Sequence, residues 1–194
     1  MLRSFDTTLS VSDDGREVVG TIVPFGQVAH VRERTLDGID EYDEEFWPGC
    51  TAKIRTDAAK RLPHRQPSWI RLTLDHERSL DHRIGYCTTI TEDDAGVQAV
   101  FRLHADPWRL DKIRSMLCES HTGLSVEFAD IARKPDTGSL RIRRSIAIDA
   151  VSATPIPVYA GARVLAVRSE DVELMPIDTT PNLDAVRAML AGNV

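Results

Sequence analysis

The stretch Ile84–Thr91 (IGYCTTIT), then Asp93-Asp94-Ala95-Gly96, then Val97–His104 (VQAVFRLH) decides the fold class. Two β-branched, half-apolar runs flank an Asp/Gly turn, which is the signature of a β-hairpin. The same pattern recurs on either side. Upstream, Ser68–His76 (SWIRLTLDH) sets Trp69, Arg71 and Thr73 against Ile70, Leu72 and Leu74, so one face of a half-buried strand is apolar. Further upstream, Glu17–Phe25 (EVVGTIVPF) reads as a strand ended by Pro24, preceded by a weaker run, Phe5–Val11, and a turn at Asp13-Asp14-Gly15. Downstream, Gly123–Ala132 and Ser139–Ala153 flank Pro135-Asp136-Thr137-Gly138 as a third predicted hairpin, and Ala162–Val167 closes the series.

Helical signals are few. Asp106-Pro107-Trp108 places Asp at an N-cap and Pro at the first helical position, and Leu110, Ile113, Met116 and Leu117 follow at helical spacing, with Gly123 just past the end. A second helix is expected from about Pro48 to Leu62. Many strands with few helices predict an α+β fold: a mostly antiparallel β-barrel with a few flanking helices. After Arg168 the composition turns to Ser169-Glu170-Asp171-Val172-Glu173 and Asp178-Thr179-Thr180-Pro181. Residues 1–168 are therefore expected to form the domain, and 169–194 an acidic linker with a short helix near Leu183–Leu190.

The net charge of −6 opposes a chain-wide nucleic-acid surface, which needs clustered cations. No run approaches the length of a membrane helix, and Met1–Asp6 lacks the apolar run of a secretory leader. Cys50, Cys87 and Cys118 are odd in number and contain no CxxC, so a disulfide framework is not expected and a reducing cytoplasm is. Arg32–Glu45 carries two cations against seven acids and reads as a solvated loop. Arg133, Lys134, Arg141, Arg143 and Arg144 read as a basic hairpin, either exposed or docking an acidic partner.

Candidate chemistry is sparse. The six histidines include no HExxH; Asp75-His76 with Asp81-His82 is the one arrangement to weigh as a cation site or metal-dependent hydrolase centre. Cys118 falls on the apolar stripe of its helix and reads as packing. Gly123-Leu124-Ser125-Val126-Glu127-Phe128 matches G-x-S-x-G only halfway, with Glu127 in place of the second Gly and a strand after the Ser, so it is not a hydrolase elbow. His76 ends an apolar strand, and Asp149 interrupts the apolar run Ser145–Val151, where a carboxylate is costly unless bonded or facing a cleft.

Together these segments resemble the prohead (capsid maturation) serine proteases of tailed phages, a family distantly similar in fold to herpesvirus assemblin. The resemblance spans about Val18 to Val167. Val19–Phe25 looks like the family's opening strand. Glu44-Glu45-Phe46-Trp47-Pro48-Gly49-Cys50 is similar to its E-x-F-x-P-G-A-F segment, and Leu74–Glu77 with Ile84-Gly85 to its His strand pair. Gly123–Phe128 is similar to its L-S-x-G-F nucleophile strand, and Ile148–Ser152 with Pro155 and Ala160–Ala162 to its closing motif. The resemblance implies Ser125 as nucleophile, His76 as general base and Asp149 as the acid orienting the base. Two positions depart: Asp149 stands where the family more often has Glu, and Glu127 puts a second charge two residues from the nucleophile. It also implies an assemblin-like fold, no cofactor and no metal. Its expected substrates are the major capsid protein's scaffold segment and the chain itself, with Ser169–Pro181 as one self-cleavage zone. A homodimer is implied, and a location in the host bacterial cytoplasm inside the immature prohead. A non-catalytic assembly or scaffolding protein on the same fold is the alternative.

Overall fold

The computed structural model describes residues 16–35, 38–54, 66–104, 106–130 and 140–167. Ten strands follow in chain order: β1 (Glu17–Pro24), β2 (Val28–Thr35), β3 (Gly38–Phe46), β4 (Arg71–Leu74), β5 (Arg83–Asp93), β6 (Gly96–Leu103), β7 (Gly123–Asp130), β8 (Leu140–Arg143), β9 (Ile146–Thr154) and β10 (Arg163–Val167). A 13-residue helix, α1 (Pro107–Glu119), joins β6 to β7. Seven strands close a barrel in the order β1-β10-β7-β9-β4-β5-β6, and β2-β3-β8 form a separate sheet. The expected α+β, mostly antiparallel barrel is the observed architecture, with β4–β9 its one parallel seam.

Period-2 alternation builds the barrel. Val18, Ile22, Leu72, Phe101, Leu103, Leu124 and Val151 are all buried and share one core. The central hairpin pairs β5 with β6 down to Asp93↔Gly96. There the Asp93 carboxylate accepts from the backbone N–H of Ala95 (2.8 Å) and Gly96 (3.1 Å), the bonding expected of an Asx turn. In α1, Leu110, Ile113 and Leu117 are buried as the spacing predicts. Asp106 occupies the N-cap position, but its side chain makes no capping bond.

Several expectations are corrected. The predicted strand Ser68–His76 is shorter: Pro67–Trp69 form a 3-10 turn, and the strand ends at Leu74 because Asp75 and His76 take left-handed backbone angles, φ 51° and 61°. The described residues of Arg32–Glu45 are not a loop but lie in the paired strands β2 and β3, whose charges pair across strands: His30–Asp43 and Arg32–Glu41, both 3.1 Å. Of the basic segment, Arg133 and Lys134 lie outside the described residues, Arg144 is exposed, and Arg141 and Arg143 are paired with acids of this chain. Strand β8 runs parallel to β3, and Arg141 donates to Asp40 at 2.7 Å. Ser139–Ala153 is broken at Arg144-Ser145, so β8 joins the second sheet and only β9 pairs with β7. Of the expected helix Pro48–Leu62, residues 52–54 are helical and 55–62 lie outside the described residues, as do 1–15, 131–139 and the proposed linker and helix of 169–194.

A buried ionic cluster ties the second sheet to the barrel. Arg143 Nε donates to Glu44 (2.7 Å) and Nη1 to Asp130 (2.8 Å), and the Tyr159 hydroxyl donates to Glu44 Oε1 at 3.0 Å. Burial and the Glu44 charge push the Tyr159 phenol well above its ordinary range, so it remains a donor.

Candidate active site on the outer barrel face

Strand β7 presents alternate faces. Leu124 points into the core, so Ser125 and Glu127 point outward on the same side. In the β7–β9 ladder Ser125 lies opposite Ser152, and Glu127 opposite Ala150. Directly opposed side chains sit with Cβ atoms about 4.5–5.5 Å apart, so the two serines are immediate neighbours. Beyond Glu127 the register shifts: Phe128 pairs with Ile148, and Asp149 is the extra residue of a β-bulge. A bulge re-aims the side chain it carries. Asp149 lines a shallow cleft on the outer face with Arg71, Thr73, Arg78, Arg83 and Glu127.

His76 reaches this face from the turn after β4. Its backbone N–H donates to Ser152 Oγ at 2.7 Å, and its Nδ1 lies 3.2 Å from Glu127 Oε1. Arg78 Nη2 donates to the other Glu127 oxygen at 3.0 Å. A carboxylate at Nδ1 holds the proton on that nitrogen and leaves Nε2 as the basic atom. The imidazole is half exposed, whereas Ser125 is only 9% exposed and Ser152 fully buried. Of the two hydroxyls, Ser125 is the less deeply buried, while Ser152 already accepts from the backbone of His76.

The His76 backbone is thus bonded to Ser152, the residue that lies opposite Ser125 in the ladder. No hydrogen bond joins Ser125 to His76 among the described residues. Asp149, the expected orienting acid, forms no side-chain hydrogen bond or ion pair among the described residues; it shares the cleft with Glu127, whose carboxylate meets Nδ1. Sequence reasoning noted Glu127 as a charge on the nucleophile's face but missed it as the partner of His76. The available signal was the i, i+2 spacing from Ser125; the missing information was the left-handed turn that aims His76 at it.

Three of the four residues weighed as a cation site go to separate partners. Asp75 pairs with His121 (3.2 Å), His76 with Glu127, and His82 Nδ1 lies 2.8 Å from Ser79 Oγ. Among the described residues no group of three or more His, Cys, Asp or Glu side chains gathers as a metal site. Cys118 is only partly buried, not packed away as expected. Burial and Glu119 push its thiol up, the opposite of what a nucleophilic thiolate needs.

No protein-family model matches the chain, and no curated protein matches it. Among solved structures it is similar to the Kaposi's sarcoma-associated herpesvirus protease. The form bound to a hexapeptide phosphonate inhibitor is 14% identical, with 92% of this chain and 88% of that chain covered at a TM-score of 0.45. The form bound to a dimer disruptor is 14% identical, with 90% of each chain covered at a TM-score of 0.43. Likeness at this level leaves the chemistry to be read from this chain's own side chains.

Proposed function

We propose that the chain is a serine endopeptidase in which Ser125 is the nucleophile and His76 the general base. The observation that carries this reading is an imidazole fixed through Nδ1 by a carboxylate, on a backbone turn bonded to the residue facing Ser125. As Ser125 Oγ bonds to the scissile carbonyl carbon, its proton passes to His76 Nε2. The C–N bond then breaks, and the same proton goes to the leaving amine. Water, deprotonated by His76, releases the acyl group. Hydrogen bonds between nucleophile and base in a free enzyme are often long and shorten when substrate binds. A carboxylate at Nδ1 keeps the imidazole in the useful tautomer and stabilises its charged form. Glu127 stands at that atom, and Asp149 lines the same cleft as Glu127.

The sequence resemblance to phage prohead proteases supports the finer reading: the substrate is the scaffold segment of a capsid protein, the chain also cuts itself, and it works as a homodimer inside the immature shell. Purified wild-type protein is expected to react with a fluorophosphonate probe at Ser125 and to shorten itself or a co-expressed capsid protein. Ser125→Ala is expected to do neither. Equal processing by Ser125→Ala removes Ser125 as nucleophile, and absence of labelling with normal shell assembly by His76→Ala favours a non-catalytic assembly protein.

A further inference from the structure

Asp75 and His76 are consecutive non-glycine residues in the left-handed region, a backbone conformation that is strained for a residue with a Cβ. Such strain persists only where the surroundings over-determine it. Three bonds from the backbone hold this turn: Asp75 N–H to Ala153 O (3.1 Å), Glu77 N–H to Leu74 O (2.9 Å) and His76 N–H to Ser152 Oγ (2.7 Å).

A fourth contact comes from elsewhere in the chain. The Asp75 carboxylate meets His121 Nε2 at 3.2 Å. The His121 side chain is 12% exposed, and its Nδ1 lies 2.8 Å from Ser120 Oγ. With the proton on Nε2 directed at Asp75, Nδ1 accepts from the Ser120 hydroxyl, so both ring nitrogens are engaged. Ser120 and His121 form the short connection between α1 and β7, where both backbone N–H groups donate to Met116 O (3.0 and 2.7 Å). The turn bearing the base is thus pinned to the nucleophile's segment on both sides of Ser125: four residues before it through Asp75–His121, and two after it through His76–Glu127.

We propose that the Ser120–His121–Asp75 chain is a positioning device for the peptidase site, with Asp75 and His121 setting where His76 stands relative to Ser125. It rests on the reading of Ser125 and His76 as the reacting pair. Neither Asp75 nor His121 touches substrate; they act through the turn. Misplacing a reacting group by a small distance costs rate without weakening binding of the remote parts of a ligand.

The test uses the full chain and a fluorophosphonate probe, whose phosphorus bonds to Ser125 Oγ as fluoride departs and the serine proton passes to His76. The limiting labelling rate and the half-saturating probe concentration are measured separately. Asp75→Asn keeps the volume and the tolerance for left-handed angles but removes the charge. His121→Phe removes both nitrogens, whereas His121→Gln restores a donor at the place of Nε2. Asp75→Asn and His121→Phe are expected to lower the limiting rate about 10-fold or more with half-saturation unchanged. The double variant is expected to fall no further than the worse single, and His121→Gln to recover most of the loss. Wild-type rates in Asp75→Asn, or a change confined to half-saturation, overturn the positioning role while the labelled wild type leaves the peptidase reading intact. Absence of Ser125 labelling in the wild type overturns both. Asp75→Asn decides the case if His121→Phe does not fold.

Discussion

Replacing Glu127 by Gln keeps the side chain's shape and removes its charge, which isolates what the carboxylate does at His76 Nδ1. The two groups lie 3.2 Å apart, with the imidazole 47% and the Glu127 side chain 18% exposed. Coulomb's law at that separation gives roughly 1 kcal/mol in a water-like medium and about 5 kcal/mol at an effective dielectric of 20. The exposed imidazole belongs nearer the lower figure, and Arg78 on the other oxygen draws off part of the field. About 1.5–2.5 kcal/mol remains, a fall of roughly 10- to 70-fold in the limiting labelling rate of Ser125. The assay follows fluorophosphonate incorporation by intact-mass spectrometry, with Asp149→Asn in parallel. Wild-type labelling by Glu127→Gln refutes the assignment of Glu127 to the imidazole. If Asp149→Asn alone shows the loss, the bulge carboxylate is the orienting acid, as the family resemblance implies.

Arg143→Ala leaves Glu44, only 4% exposed, without its cation, and is expected to cost about 3–5 kcal/mol in urea unfolding because an uncompensated charge stays buried. Burial pushes the Cys87 thiol from 9.0 up to about 12. Between those values the unfolded chain has released a proton that the folded chain keeps, so stability falls with rising pH, by at most about 1.4 kcal/mol per pH unit. Thermal unfolding of wild type and Cys87→Ala between pH 8 and pH 10.5 is expected to show a steeper fall in the wild type; the raised Cys118 thiol and Tyr159 phenol contribute equally to both proteins, so the difference is the Cys87 share.

The barrel was legible because its strands bury one face. β-branched and apolar residues alternate through Leu72, Leu124 and Val151, and water enforces that alternation wherever a core lies behind. The β2–β3 hairpin was not legible for the converse reason. Its residues are stabilised by charge pairing across strands and against β8, and such pairing leaves no apolar period in a single segment. At the site, Ser125 and His76 were singled out in the sequence, but the partner of His76 could not be read. It depends on two left-handed residues with no Gly or Asn to announce them, held there by Ser152, Ala153 and His121 from other segments. Asp149 stood out as a charge in an apolar run. Its bulge explains how the run tolerates it, because the extra residue leaves the ladder and turns to solvent.

The interleaving of β7 and β9 lets odd and even positions answer to different pressures. Leu124 and Val151 serve cohesion, while Ser125, Glu127 and Ser152, one step away, serve the outer face. Point changes to one set leave the other nearly untouched, so new cleft chemistries can be sampled on an unaltered scaffold. A one-residue deletion ahead of Leu124 would exchange the roles of the two sets in β7 at a stroke. Such frame-like sensitivity makes length, more than composition, the property these strands must keep.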